Sequence, residues 1–164
     1  MVISTDPPRA ALNLPVVKEL GKAKAMYNEK TNKTIIETIP VLVFGDWNNG
    51  MRLRARFEVS GKEIAKPAQV TLYFYSTAPN RKYADNRALK ISIDGKAVVS
   101  GTARYQEGET NGKQFYVTVS QDISYEMYLQ LINAKAVKMQ IGLAQFDLKE
   151  SDLEALRDLT RIIE

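Results

Sequence analysis

Two segments in the middle of the chain alternate between apolar and polar residues, and this pattern constrains the fold more than any other feature. In residues 51–59 every odd position is apolar and every even position is charged. In residues 70–75 Val70, Leu72 and Phe74 alternate with Thr71, Tyr73 and Tyr75. Neighbouring side chains of a strand point to opposite faces, so a period of two predicts strands that bury one face.

Further strand signals surround these two segments. Asp94-Gly95 predicts a tight hairpin, because both turn positions need a positive φ. Polar or glycine- and proline-containing stretches separate the other apolar runs, which fall in residues 24–28, 34–39, 39–44, 89–93, 96–105, 115–119 and 137–143. Many short strands joined by turns predict an antiparallel β-sandwich or barrel-like domain of about eight strands.

The period changes to that of a helix twice near the end of the chain. Ser124 caps a predicted short helix over residues 124–133. Residues 151–163 carry an apolar stripe, and Ser151 with Glu154 forms a predicted capping box at their start. These helices make the fold mainly β in an α+β variant. Residues 16–21 are compatible with a turn of helix that ends at Gly21.

Domain organisation follows from proline content and length. Pro7, Pro8 and Pro15 prevent a continuous helix, so residues 1–15 are predicted to be an extended or mobile lead-in. Residues 16–164 are predicted to form a single β-rich domain that includes the C-terminal helix.

The chain of 164 residues contains neither histidine nor cysteine, which limits the catalytic groups and metal ligands it can offer. The usual general base, the thiolate nucleophile and the commonest transition-metal ligands are all missing. The carboxylates near residues 107–109 and 147–152 leave a carboxylate-based hydrolase as the remaining catalytic alternative, but solvation and helix capping account for them. Residues 46–57 lack the EF-hand spacing. We therefore predict no catalytic residue, metal or cofactor.

Charge and hydropathy bear on partners and location. The net charge of +4 is modest and spread along the chain, which disfavours nucleic acid as a partner. No apolar run is long enough for a transmembrane segment, and residues 1–9 lack the apolar core of a signal peptide. The closing order of helix, strand and helix is similar to the ends of small bacterial envelope proteins, although no motif identifies a family. On the hypothesis that the natural chain carried an export signal that is absent from this sequence, a periplasmic, secreted or envelope-associated location is somewhat favoured over a cytoplasmic one.

The alternation also predicts a register. If residues 51–59 and 70–75 are antiparallel neighbours, their outward faces bring the arginines beside Thr71 and the tyrosines. Such a face is either a solvated surface of good β-formers or a binding surface, since arginine and tyrosine are enriched at interfaces. On the second interpretation, replacing Arg54 and Tyr75 with alanine should weaken binding and leave the fold intact.

The single tryptophan allows two interpretations. Trp47 lies in a polar loop, where it either folds back as a lid over the core or stays exposed as a contact residue. The favoured function is a non-catalytic module that binds an unknown protein or glycan partner, and the alternative is a carbohydrate-binding domain that uses Trp47 and surface tyrosines. The candidate binding residues are Arg52, Arg54, Arg56, Tyr73, Tyr75, Trp47, Arg81 and Tyr83.

Overall fold

Strands dominate the computed structural model, which describes residues 14–79, 83–108 and 114–164. Within those residues there are twelve strands and two helices. In chain order they are β1 (Val16–Leu20), β2 (Ala23–Asn28), β3 (Lys33–Thr38), β4 (Val41–Gly45), β5 (Gly50–Ser60), β6 (Gln69–Ala78), β7 (Ala88–Ile93), β8 (Lys96–Thr102), β9 (Arg104–Glu107), β10 (Phe115–Ser124), α1 (Tyr125–Ile132), β11 (Val137–Ile141), β12 (Ala144–Asp147) and α2 (Glu150–Arg161).

The strands form two antiparallel sheets. The eight-stranded sheet has the order β1-β2-β3-β5-β6-β10-β9. Strand β6 pairs with one edge of β5, and both β3 and β4 pair with the other edge, at different parts of its length. The four-stranded sheet has the order β12-β11-β7-β8. The predicted antiparallel, β-rich α+β fold is confirmed. The strand number exceeds about eight partly because Ala103 divides residues 96–105 into β8 and β9, which belong to different sheets.

The predicted hairpin and the predicted register are both present. Asp94 and Gly95 connect β7 to β8 with φ values of 49° and 84°. In the β5–β6 pair Arg52 lies opposite Tyr75 and Arg54 lies opposite Tyr73. The alternation of apolar residues therefore determined the register, because a shift by one residue would have exposed the apolar side.

One continuous core lies on the inner face of the eight-stranded sheet. Leu53 of β5 and Phe74 of β6 belong to the same buried cluster as Met139 of β11 and Leu156 of α2. Helix α2 contacts β2, β3, β4 and β5, whereas α1 contacts β6, β10 and α2. The helices and the smaller sheet therefore cover the inner face, and the opposite face, called the outer face below, points away from this core.

The two helices begin as the sequence suggested, with one correction. Ser124 caps α1, since its Oγ accepts a hydrogen bond from the amide of Met127 at 3.1 Å. Helix α2 begins at Glu150, and the capping carboxylate is Asp152, which accepts from the amide of Lys149 at 2.9 Å. The predicted capping box of Ser151 and Glu154 is wrong, because the helix starts earlier than that box requires.

The start of the described chain is a strand. The turn of helix considered for residues 16–21 is wrong, because residues 16–20 pair with β2 as β1. Gly21 has a φ of +57° in the turn that follows. The next amide, that of Lys22, donates to the Asp158 carboxylate of α2 at 2.9 Å. This hydrogen bond ties the C-terminal helix to the β1–β2 turn. In the part of the chain that the structure describes, no helix is long and apolar enough to cross a membrane.

Candidate recognition face

Polar side chains cover much of the outer face in rows that run across the strands. The backbone register sets each row, because residues that lie opposite one another in neighbouring strands share a face. The sequence prediction that the arginines lie beside Thr71, Tyr73 and Tyr75 is confirmed by this register. Continued across β10 and β9, the rows are Arg56–Thr71–Asp122, Arg54–Tyr73–Ser120–Arg104 and Arg52–Tyr75–Thr118–Gln106.

The centre of the outer face is buried. Arg54 is 6% exposed and Tyr75 is 1% exposed, so the expectation that both face solvent is wrong. The guanidinium of Arg54 lies 5.6 Å from the Tyr75 ring centre, and its Nη1 lies 3.7 Å from Oε2 of the buried Glu37. Its Nε donates to the carbonyl of Thr38 at 3.1 Å. These contacts make Arg54 part of the interior, so we expect its replacement by alanine to destabilise the fold.

An exposed tryptophan lies at one end of the outer face. Trp47 is 59% exposed, so the interpretation as a lid is wrong and the exposed alternative is what the structure shows. Its loop is ordered by Asp46, whose Oδ1 accepts hydrogen bonds from the amides of Asn48 and Asn49 at 2.9 and 2.8 Å. The guanidinium of Arg52 lies 5.5 Å from the centre of the Trp47 ring. Trp47 is therefore an exposed aromatic side chain on a loop that is fixed by hydrogen bonds.

A polar depression lies at the other end of the outer face. Its volume is about 390 Å³, which is within the range of small-ligand sites. The half-buried ring of Tyr73 stacks parallel to that of Tyr75, with 6.1 Å between ring centres. The residues that line the depression are Arg56, Phe57, Glu58, Gln69, Thr71, Tyr73 and Asp122. Tyr73 and Arg56 are sequence-predicted candidates, and both therefore border this depression.

Asp122 is held in the depression by its neighbours. Its carboxylate accepts hydrogen bonds from both terminal nitrogens of Arg104, at 2.8 and 2.9 Å, and from the hydroxyl of Thr71 at 2.5 Å. The hydrogen bonds from Arg104 lower the pKa of the Asp122 carboxyl, against the opposing effect of its partial burial, and that from Thr71 adds to the lowering. Asp122 is therefore a fixed anion, and a general acid needs the opposite shift.

Two predicted candidates do not join this face. Tyr83 packs against the main core and borders a mainly apolar cavity with Phe44 and Leu143. Burial raises the pKa of the Tyr83 hydroxyl, and its hydrogen bond with Ser76 opposes that effect. Ser76 pairs with the core residue Met51, which places Tyr83 towards the inner side of the sheet. Arg81 lies outside the described residues.

Three residues of the outer face were missed from the sequence. In β10 every second residue from Thr118 to Ser124 is polar, and Asp122 belongs to this series. Its place on the outer face could therefore have been predicted from the sequence. Arg104 and Glu37 carried no comparable signal, because each meets its partner only when their strands pair, and local patterns do not show which strands pair.

Comparison with known proteins adds no family assignment. No family model matches the chain, and neither the curated proteins nor the solved structures contain a match. Among the described residues no group of three or more acidic side chains is placed to hold a metal ion. The geometry of the outer face is therefore the feature that bears on function.

Proposed function

We propose that the protein is a non-catalytic binding module that recognises a partner through its outer face. The observation that carries this proposal is the exposure of Trp47 on an ordered turn, with Arg52 beside its ring. Tryptophan and arginine are the side chains most enriched among residues that dominate binding energy. A tryptophan whose loop is already fixed loses little further entropy when a partner covers it.

The buried centre of the outer face supports the same proposal. Arg54 links β5 to β3 through Glu37 and Thr38, and it also contacts Tyr75 of β6. Arg52 and Arg56 extend from the same side of the same strand, and both remain half-buried. Rigid strands position exposed side chains more precisely than loops do. The centre therefore acts as a support, and the exposed ends of the face act as the contact residues.

The first test compares matched double variants. Trp47→Ala combined with Arg52→Ala removes the exposed ring and the half-buried arginine beside it, whereas Lys90→Ala combined with Lys138→Ala removes two exposed charges from the four-stranded sheet. Tagged proteins are used to capture partners from an extract of the source cells, with quantification by mass spectrometry. We expect a partner that the wild type and the lysine variant retain and that the Trp47 variant binds about 2 kcal/mol, or roughly 30-fold, more weakly.

The second measurement uses the fact that the chain has one tryptophan. Its fluorescence reports on position 47 alone, so addition of the purified partner should shift or quench the emission of the wild-type protein. Equal retention of every captured protein by both double variants, with no change in emission, would overturn the proposal. Circular dichroism of each variant verifies that the fold is retained.

A further inference from the structure

The polar depression beside Tyr73 holds charges of both signs that are paired with one another. Nη2 of Arg56 donates to Oε1 of Glu58 at 2.9 Å, and Nζ of Lys33 lies 3.8 Å from Oε2 of the same carboxylate. Arg104 pairs with Asp122 from the neighbouring strand. Each carboxylate that lines the depression therefore already has a cationic neighbour. Because these opposite charges are already paired, they largely cancel one another, and an ionic ligand of either sign would gain little net attraction.

Neutral hydroxyl groups fit such a lining. A hydroxyl donates one hydrogen bond and accepts others, so it can donate to a carboxylate and accept from a guanidinium at the same time. Hydrogen bonds to charged groups are the stronger kind, and they require no net charge on the ligand. Thr71 and Gln69 add neutral polar groups to the same wall. The depression thus offers many donors and acceptors at fixed positions, and it lacks a single dominant sign of charge.

An aromatic ring completes the site. Tyr73 lines the depression, and its ring is backed by the parallel ring of Tyr75. Because Tyr75 is fully buried, the pair is anchored in the sheet. A tyrosine offers an apolar body and a polar tip, which suits a ligand that presents both C–H groups and hydroxyl groups.

We propose that this depression binds a neutral sugar unit of a carbohydrate, with Asp122 and Arg56 hydrogen-bonding its hydroxyl groups and Tyr73 packing against its ring. The inference rests on the proposed function, since it assigns a ligand class to part of the same outer face. It deepens that function by placing the sugar contact at the depression, about four residues of strand, or roughly 14 Å, from Arg52.

The test starts from an array of neutral and anionic glycans probed with the full chain. A neutral glycan that binds is then titrated into wild-type protein by calorimetry. Asp122→Asn and Tyr73→Leu should each weaken its binding roughly tenfold or more, because each removes a direct contact. Lys138→Gln on the four-stranded sheet is the matched control and should bind as the wild type does. Added sodium chloride should have little effect, because the ligand is uncharged.

Amide chemical shifts of the wild-type protein give an independent readout that needs no variant. On addition of the glycan, the largest changes should fall in β5, β6 and β10 around the depression. The proposal is overturned if no neutral glycan binds, if binding falls steeply with salt, or if Asp122→Asn and Tyr73→Leu bind as the wild type does. Loss of glycan binding only in the Trp47 and Arg52 variant would keep the recognition face and overturn this site. Glycan binding at the depression without any effect of that variant would keep this site and would overturn only the assignment of Trp47 and Arg52 as contact residues.

Discussion

The two faces of the β5–β6 pair are built from the same strands and are stabilised in opposite ways. On the inner face Met51, Leu53 and Ala55 meet Leu72 and Phe74, and all of them are fully buried. On the outer face the corresponding side chains are arginine, threonine and tyrosine. Near their centres both faces are closed to solvent. The inner face achieves this by apolar packing, and the outer face does so with an ion pair, hydrogen bonds and ring contacts.

This difference shows that alternation of polarity and alternation of exposure are separate properties of a strand. An apolar residue inside the sheet needs only neighbours of the right volume. A buried arginine needs a specific carboxylate and carbonyl in reach, or its charge would cost several kcal/mol. We therefore expect the inner face to be sensitive to lost volume and the outer face to be sensitive to lost partners.

The largest expected effect comes from the inner face. Phe74→Ala removes a fully buried ring from the main cluster and leaves a cavity. The free energy of unfolding should fall by about 4 kcal/mol, measured by urea denaturation. Phe44→Ala is the control, since that ring is 38% exposed, and it should cost much less. A similar loss for both variants would mean that the inner face is not the main core.

The next largest effect is expected from a substitution that breaks the ion pair of the outer face. Arg54→Leu keeps an apolar stem of similar length and leaves Glu37, which is 1% exposed, without its guanidinium. Removal of one partner of a buried pair costs about 3 kcal/mol in the free energy of unfolding. Arg52→Leu lies two residues away on the same face and is only half-buried, so its cost should stay below about 1 kcal/mol.

A double variant separates charge from packing in that result. Glu37→Gln removes the carboxylate charge, so Glu37→Gln combined with Arg54→Leu should be less destabilised than Arg54→Leu alone. The same urea denaturation measures the cycle. If Arg54→Leu and Arg52→Leu cost the same, the outer face is an ordinary solvated surface and the comparison fails.

The sequence predicted the inner face and the register because both follow from local alternation. The polarity of each residue in 51–59 indicates which face of the sheet it lies on. Once residues 70–75 are taken as the neighbouring strand, matching the two apolar faces sets the register without knowledge of the rest of the fold. The helix cap at Ser124 and the turn at Asp94-Gly95 were predictable for the same reason, since each depends on a few consecutive residues.

The burial of the outer face was not predictable, because its contacts depend on which strands become neighbours in the sheet and on how long side chains pack across them. Arg54 reaches Glu37 only after β3 and β5 pair, and Asp122 reaches Arg104 only after β10 and β9 pair. Trp47 had two interpretations because loop composition says nothing about where the ring packs. The structure shows its exposure, and partner binding at this face stays a prediction.

A smaller effect tests a polar group on the inner side. Tyr128 is fully buried, and its hydroxyl donates to the carbonyl of Leu156 at 2.5 Å. Tyr128→Phe should cost about 1 kcal/mol at neutral pH. Burial raises the pKa of Tyr128 well above its ordinary value, so the folded protein keeps the proton while the unfolded chain loses it above about pH 10. The advantage of the wild type over Tyr128→Phe should therefore shrink above that pH, by up to ~1.4 kcal/mol per pH unit.

Urea denaturation at neutral and alkaline pH measures this difference directly. The phenylalanine variant serves as its own control for the other tyrosines, which titrate equally in both proteins. A constant difference across the alkaline range would show that the Tyr128 hydroxyl is hydrated in the folded protein, and the inner side would then be less dry than its packing indicates.

The smallest effect lies on the outer face and has the opposite dependence on pH. The hydrogen bonds from Arg104 hold the pKa of Asp122 below its ordinary value of about 3.9. A depressed pKa stabilises the folded state above that pH, and the contribution is lost as the pH falls through the folded-state value. Because the pair is partly solvated, Asp122→Asn should cost less than about 1 kcal/mol at neutral pH. That cost should disappear as the pH is lowered below about 4. Urea denaturation of both proteins from neutral to acid pH measures it, and a cost that persists at the acid end would mean that Asp122 acts through packing and not through its charge.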